Sequence, residues 1–218
     1  MEDILLFNLS IKSSIKNYDV FFTQSAHQAL NDETNTGDVI LVDENVFHHL
    51  NDDLKQIITS RKHIFIEATE SQKSYTALVP IIEQLIENQF RKNNRLICIG
   101  GGITNDITAF IASIMYRGVE WVFFPTTLLG QADSCIGGKT SINIGKFKNQ
   151  LGNFYPPRKI FVIPEFLKSL PESDFKSGMG EMLHFYLVSG EEDFSFYQQN
   201  YDKAFTDESA LMSIIKRN

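Results

Sequence analysis

Six short runs constrain this chain more than anything else in it: residues 19–23, 39–43, 63–68, 95–100, 120–124 and 159–163. Several of them, VILVD, RLICIG and KIFVI included, are almost continuously apolar. A strand with one wet face would alternate apolar with polar residues, so these read as strands covered on both faces. Between the runs the period changes. Tyr75, Leu78, Val79, Ile82, Leu85 and Ile86 recur at helical spacing, which predicts a helix with one buried stripe. Ile107, Phe110, Ile111, Ile114 and Met115 make a second such face, with Thr104, Asn105 or Asp106 expected as its cap. Strands alternating with helices imply a mostly parallel sheet with right-handed crossovers, an α/β fold of Rossmann-like type.

After about residue 165 the strands stop. The stretch EFLKSLPESDFKSGMGEMLHFYLVSG holds no strand pattern, and from Gly178 onward the chain reads as helices. It ends at LMSIIKRN, inside a helical pattern with no capping glycine or proline. The expected division is an α/β domain over 1–165 and the beginning of a helical domain, cut short, over 166–218.

Composition narrows the partners. Hydrophobic residues make up 43% and charged residues 22% of the 218 positions, values of a globular protein. No apolar run is long enough to span a membrane, and the start MEDILLFNLSIKSSIKNYD lacks the basic region and cleavage site of a signal peptide. A soluble, cytoplasmic protein is expected. The two cysteines, Cys98 and Cys135, exclude a disulfide framework and a Cys-rich zinc site, and read as buried free thiols. With 20 basic against 27 acidic residues the net charge is −7, which disfavours nucleic acid and anionic membrane as partners.

Against that acidic background Lys139, Lys146 and Lys148 cluster within ten residues, with Arg117 upstream. Lys139 lies in ADSCIGGKTSIN, whose G-G-K-T suggests the end of a phosphate-binding P-loop. That pattern needs a glycine five residues before Gly138, and Asp133 stands there. A carboxylate would face the phosphates that backbone N–H groups are meant to cradle, so the P-loop reading fails.

Ligands of open α/β sheets collect at the C-terminal ends of the strands. After the fourth run comes GGGITND, three glycines and a helix start, which suits the approach of a diphosphate or a plain tight turn. After the fifth come Thr126 and Thr127, then Asp133 and the glycine pair. After the second comes DEN, where Asp43 can hold a ribose diol or simply cap a helix. Glu181 and His184 stand three apart and share one helical face, as two ligands of one metal would.

Taken together, GGGITNDITAFIASIMYRGVEWVFFPTTLLGQADSCIGGKTSIN, KNQLGNFYPP, FLKSLP and GMGEM strongly resemble the 3-dehydroquinate synthases of the shikimate pathway and the related sugar phosphate cyclases. The likeness reaches more loosely to VDEN and EATESQKSY. It implies an NAD-binding domain followed by a metal-binding helical domain. It implies that Asp43, Asn45, Glu70, Lys73, Gly101, Gly102, Ile103, Asp106, Thr126, Thr127, Lys148, Phe166 and Ser169 contact NAD. It also implies that Arg117, Asp133, Lys139 and Asn149 face a phosphorylated sugar acid, and that Glu181 ligates a catalytic divalent metal, zinc. In that family NAD takes and returns a hydride, phosphate leaves, and the opened sugar closes into a carbocycle. Lys139 would then be the point charge on the phosphate, with Gly137 and Gly138 allowing close approach. A homodimer is the expected assembly.

The chain departs from the family pattern in three places. His184 replaces a substrate-contacting lysine, Asn105 stands where glycine is usual, and two further histidine ligands of the family lie downstream of Asn218. Three alternatives therefore stay open: a cyclase for another sugar phosphate, a metal-dependent alcohol dehydrogenase, and an inactive NAD-binding module.

Overall fold

The computed structural model describes residues 5–218; residues 1–4, where the first domain is expected to begin, lie outside the described residues. The chain runs β1 (Leu5–Ile11), β2 (Tyr18–Thr23), α1 (Ala26–Glu33), β3 (Val39–Asp43), α2 (Glu44–His49), α3 (Asp52–Thr59), β4 (His63–Ile66), α4 (Tyr75–Glu87), β5 (Leu96–Gly100), α5 (Gly102–Ile114) and β6 (Trp121–Pro125). It continues through β7 (Lys139–Ile144), β8 (Phe147–Phe154), β9 (Lys159–Val162), α6 (Glu172–Ser189), α7 (Glu191–Asn200) and α8 (Glu208–Arg217).

Seven strands form one sheet in the order β1-β2-β9-β6-β5-β3-β4, and β7 with β8 makes a separate hairpin. Only β1 runs antiparallel to its neighbour; the other pairings of the sheet are parallel. The chain leaves β3 towards β4 on one side and returns to β5 on the other, so the order reverses between β3 and β5. Such a reversal opens a crevice at the strand ends.

The continuous apolar runs have their expected cause, because the strands feed two cores. Leu41, Cys98 and Phe123 point into one, with Leu78, Leu85 and Ile111 of α4 and α5. Ile40, Val42, Ile99 and Phe124 point into the other, with Leu30, Leu54 and Ile58 of α1 and α3. Each such side chain fully buried stabilises the fold by ~1.5–3 kcal/mol. The turn Pro164–Ser169 follows the last strand, and the helices after it add Met179, Met182, Tyr186, Leu211 and Ile214 to the first core. No helix of the described residues is long and apolar enough to cross a membrane.

Three sequence expectations need correction, and a fourth feature carried no sequence signal. The stripe on α4 is split: Leu78, Ile81 and Leu85 are buried, whereas Tyr75, Val79 and Ile86 are exposed. Apolar residues on two adjacent faces blur into one stripe when read by spacing alone. Helix α5 begins at Gly102 with Gly101 as cap, which puts Thr104, Asn105 and Asp106 inside it. Helix α6 starts at Glu172, before Gly178. The hairpin β7–β8 has no apolar run to betray it, since its second strand is almost wholly exposed.

Both thiols are sealed. Cys98 is 0% and Cys135 3% exposed, and burial pushes each pKa up to about 12. At pH ~8 neither thiol is expected to react with Ellman's reagent in the folded protein. Full titration is expected only after denaturant is added, and rapid labelling of the native chain would contradict this packing.

Candidate dinucleotide and phosphate site

Three neighbouring strand ends build the floor of the site. Val42 pairs with Ile99 and Gly100 with Pro125, and the Thr126 N–H donates to the Gly100 carbonyl at 3.0 Å. Asp43, Gly100–Gly102 and Thr126 therefore stand side by side across the crevice. Gly101 caps α5 without a side-chain hydrogen bond, so the first N–H groups of a 13-residue helix are left open to an anion. A Cβ on Gly102 would meet nothing within 4 Å, while one on Gly101 would touch Thr127 Cγ2 at 3.0 Å. The empty side of the helix start is thus the Gly102 side. Thr126 is 3% exposed and its hydroxyl has no partner. An open helix N-terminus, a glycine cradle and an orphaned buried hydroxyl suit a dinucleotide's diphosphate.

Asp43 is the cap of α2, its carboxylate accepting from the N–H groups of Asn45 at 2.9 Å and Val46 at 3.2 Å. Burial holds its pKa above the ordinary value, outweighing those donors. The helix-cap reading is therefore satisfied by geometry. Asp43 still lines a cleft of about 360 Å³ with Asn45, Glu67 and Thr69, at the ends of β3 and β4.

The hairpin closes over α5 through a polar network. Lys73, only 8% exposed, places its ammonium 2.5 Å from Asp106 Oδ2 and 2.8 Å from Asn149 Oδ1. The same Asn149 Oδ1 accepts from the Ser141 hydroxyl at 3.1 Å. The Asn149 N–H donates to Asn143 Oδ1 at 2.8 Å, and Asn143 Nδ2 donates to Glu70 Oε1 at 2.9 Å. Lys148 lies 3.5 Å from that carboxylate oxygen. Burial pushes the Asp106 carboxyl above its ordinary pKa, against the pull of Lys73. The Asn143 hydrogen bond, with Lys148 nearby, holds Glu70 below the ordinary value. Glu70, Lys73, Asp106 and Lys148, expected at the cofactor, and Asn149, expected at the substrate, are one connected unit. Asn143 and Ser141 complete it and escaped sequence reasoning. Their signal is weak: two small polar residues alternating with buried Thr140 and Ile142.

Lys139 opens β7, exposed and opposite Phe154. Residues two apart on a strand share a face, so Lys139 stands beside Ser141 and hence Asn149. The glycine pair before it behaves differently from expectation. Gly138, at φ 62°, is pressed so closely on Pro156 that a Cβ would lie 2.8 Å from its backbone. The Gly137 N–H is taken by the Tyr18 hydroxyl at 3.1 Å. Close approach at Gly138 is thus to the protein itself.

Other expected site residues stand apart. Arg117, at φ 64°, follows the far end of α5, a helix about 20 Å long, and is exposed there. It cannot reach the start of its own α5. Asp133 lines a separate, mostly apolar cleft of about 270 Å³ with Phe22, Phe185 and Ile215. Ile103 is half-buried against the first core, Thr127 accepts from the Gly130 N–H at 3.0 Å, Phe166 is 5% exposed in the second core, and Ser169 is exposed. Glu181 and His184 are both exposed on α6, whose Gly178 sits against Leu128. Among the described residues no group of three or more His, Cys, Asp or Glu is placed to hold a metal. Glu181 and His184 do not by themselves make a metal centre.

Residues 63–177 match the family described as 3-dehydroquinate synthase N-terminal. The 3-dehydroquinate synthase of Clostridium tetani is 35% identical over 187 residues, 85% of this chain and 50% of that protein. That of Thermodesulfovibrio yellowstonii is 41% identical over 155 residues, 71% of this chain and 43% of that protein. The chain spans about half the length of the curated relatives it matches. Among solved structures, 2-epi-5-epi-valiolone synthase from Streptomyces hygroscopicus subsp. jinggangensis, with NAD+ and Zn2+ bound, superposes at a TM-score of 0.80. It is 24% identical, over 96% of this chain and 61% of that one, and so attests the fold.

Proposed function

Since the chain belongs to the 3-dehydroquinate synthase family, we propose that it forms the NAD-binding and phosphate-facing part of an enzyme that turns a seven-carbon sugar acid phosphate into a carbocycle with loss of phosphate. The observation that carries this reading is the Lys73 ammonium held between Asp106 and Asn149. It locks the hairpin that bears Lys139 onto the helix start that faces the cofactor.

NAD supplies a hydride acceptor that gives the hydride back, and a divalent metal such as zinc a Lewis acid. The chain's own residues orient and hold. The N–H groups at Gly102 and the Thr126 hydroxyl hold the diphosphate, and Asp43 with Asn45 faces a ribose. Lys139 and Asn149 take the substrate phosphate on the outer face of the hairpin, one as a charge and one as a hydrogen-bond partner. Glu181 contributes one metal ligand, and the further donors come from outside these residues. His184 stands one helical turn from Glu181 on the same exposed stretch of α6, where its ring can hydrogen-bond a substrate oxygen. A homodimer is the assembly we propose. The exposed Tyr75, Val79 and Ile86 on α4 support it, and Arg117, too far from its own site, would then be free to serve a second copy's.

Two measurements test the reading. Calorimetric titration should show that the 218 residues bind NAD, and failure to bind would overturn the cofactor site. Phosphate release from the sugar acid phosphate, with NAD and zinc added, should show no sustained turnover by these residues alone, because Glu181 is one ligand where a catalytic zinc needs three. Steady release would overturn the need for outside donors. Net accumulation of NADH from a simple alcohol would favour a dehydrogenase instead.

A further inference from the structure

Asn105 keeps its side chain free of the protein's own hydrogen-bond network. It is 6% exposed, and its side-chain amide makes no hydrogen bond within the protein, while the nearby Asn143 and Asn149 amides are both engaged. The amide atoms are not among the fully buried side-chain atoms left unpaired, so solvent reaches them and a ligand group can take its place.

Its position says where. The Asn105 N–H donates to the Gly101 carbonyl at 2.9 Å, one helical turn back. Residues four apart share a helix face, and the Cβ direction of Gly101 points at Thr127. Asn105 therefore sits on the side of α5 that faces the end of β6. There the buried Thr126 hydroxyl is also without a partner. The amide has both a donor and an acceptor to offer. Phosphate oxygens only accept, and the helix N–H groups already serve them, whereas a sugar hydroxyl donates and accepts.

We propose that Asn105 is a specificity residue that hydrogen-bonds a ribose hydroxyl of the bound dinucleotide. This rests on the NAD reading above, and the test separates the two. The 218-residue protein and its Asn105→Ala and Asn105→Gly variants are titrated with NAD by calorimetry, and each is melted without ligand. Wild-type protein that fails to bind NAD sinks the cofactor reading itself. If the wild type binds, both variants should bind about tenfold more weakly, and Asn105→Ala should melt at the same temperature as wild type or higher. Unchanged affinity in both variants overturns the proposal, whichever way the melting temperature moves. Weaker binding accompanied by a clear fall in the Asn105→Ala melting temperature overturns it too, since Asn105 would then be holding the loop and not the ligand.

Discussion

Arg95→Ala is expected to remove about 3 kcal/mol of folding stability, the largest single loss anticipated outside the apolar cores. Arg95 enters β5 at the end of the sheet opposite the cofactor crevice. Its guanidinium lies 2.5 Å from Glu33 Oε1 and 2.8 Å from Asp38 Oδ2, and it also donates to the Glu33 backbone carbonyl. Burial would lower its pKa, but Asp38 and Glu33 outweigh burial and hold it above the ordinary value. Glu33 and Asp38 are 7% and 5% exposed. Breaking a buried pair by deleting one partner costs about 3–5 kcal/mol, because the other charge stays behind. The lower end applies here for a specific reason. Lys159, 2.7 Å from Glu33, would still neutralise that carboxylate, leaving Asp38 as the uncompensated charge. Against a total stability of about 5–15 kcal/mol, this is a large share. Urea unfolding of wild type, Arg95→Ala and Arg95→Lys measures it. The lysine variant should recover only part, since an ammonium cannot fork between two carboxylates. A loss within about 0.5 kcal/mol of zero for the alanine variant would show the cluster to be solvated.

The second large effect falls on binding and spares the fold. Gly102→Val is expected to weaken NAD binding by up to on the order of 100-fold, the equivalent of about 1–3 kcal/mol of overpacking. The sequence points equally to Gly101 and Gly102, and the structure separates them. A side chain at Gly101 would press on Thr127, so its effect would mix packing with binding. At Gly102 an added Cβ meets nothing within 4 Å outside its own turn of helix, which leaves the helix start room for a larger side chain. The valine's methyl groups are expected to fill the space over the open N–H groups. Thermal melts should show a native fold, and calorimetry should show the lost affinity. Wild-type affinity in a folded Gly102→Val protein would move the diphosphate away from α5.

Some of the site was legible because it depends on short stretches of chain. An uninterrupted apolar run such as LICIG means a strand buried on both faces wherever it lies, and three glycines before a helical pattern mean a backbone that something approaches. The family resemblance rests on the same kind of local information. Spacing misled where two faces of one helix were both apolar, as on α4, because periodicity cannot tell a face against the core from a face turned outwards.

What the sequence determined by itself is the alternation of strands and helices, the glycine loop at the end of β5, the buried thiols and the residue types of the site, since backbone preference and burial period act over a few residues. What only the tertiary structure decided is which of those residues meet. Lys73 and Asn149 lie 76 positions apart, and they touch because the hairpin folds back along α5. Arg117, much closer in sequence to Asp106, is carried away from it by the length of one rigid helix. Charge pairing follows distance in space, and that distance is fixed by strand order and helix length, which no local pattern encodes.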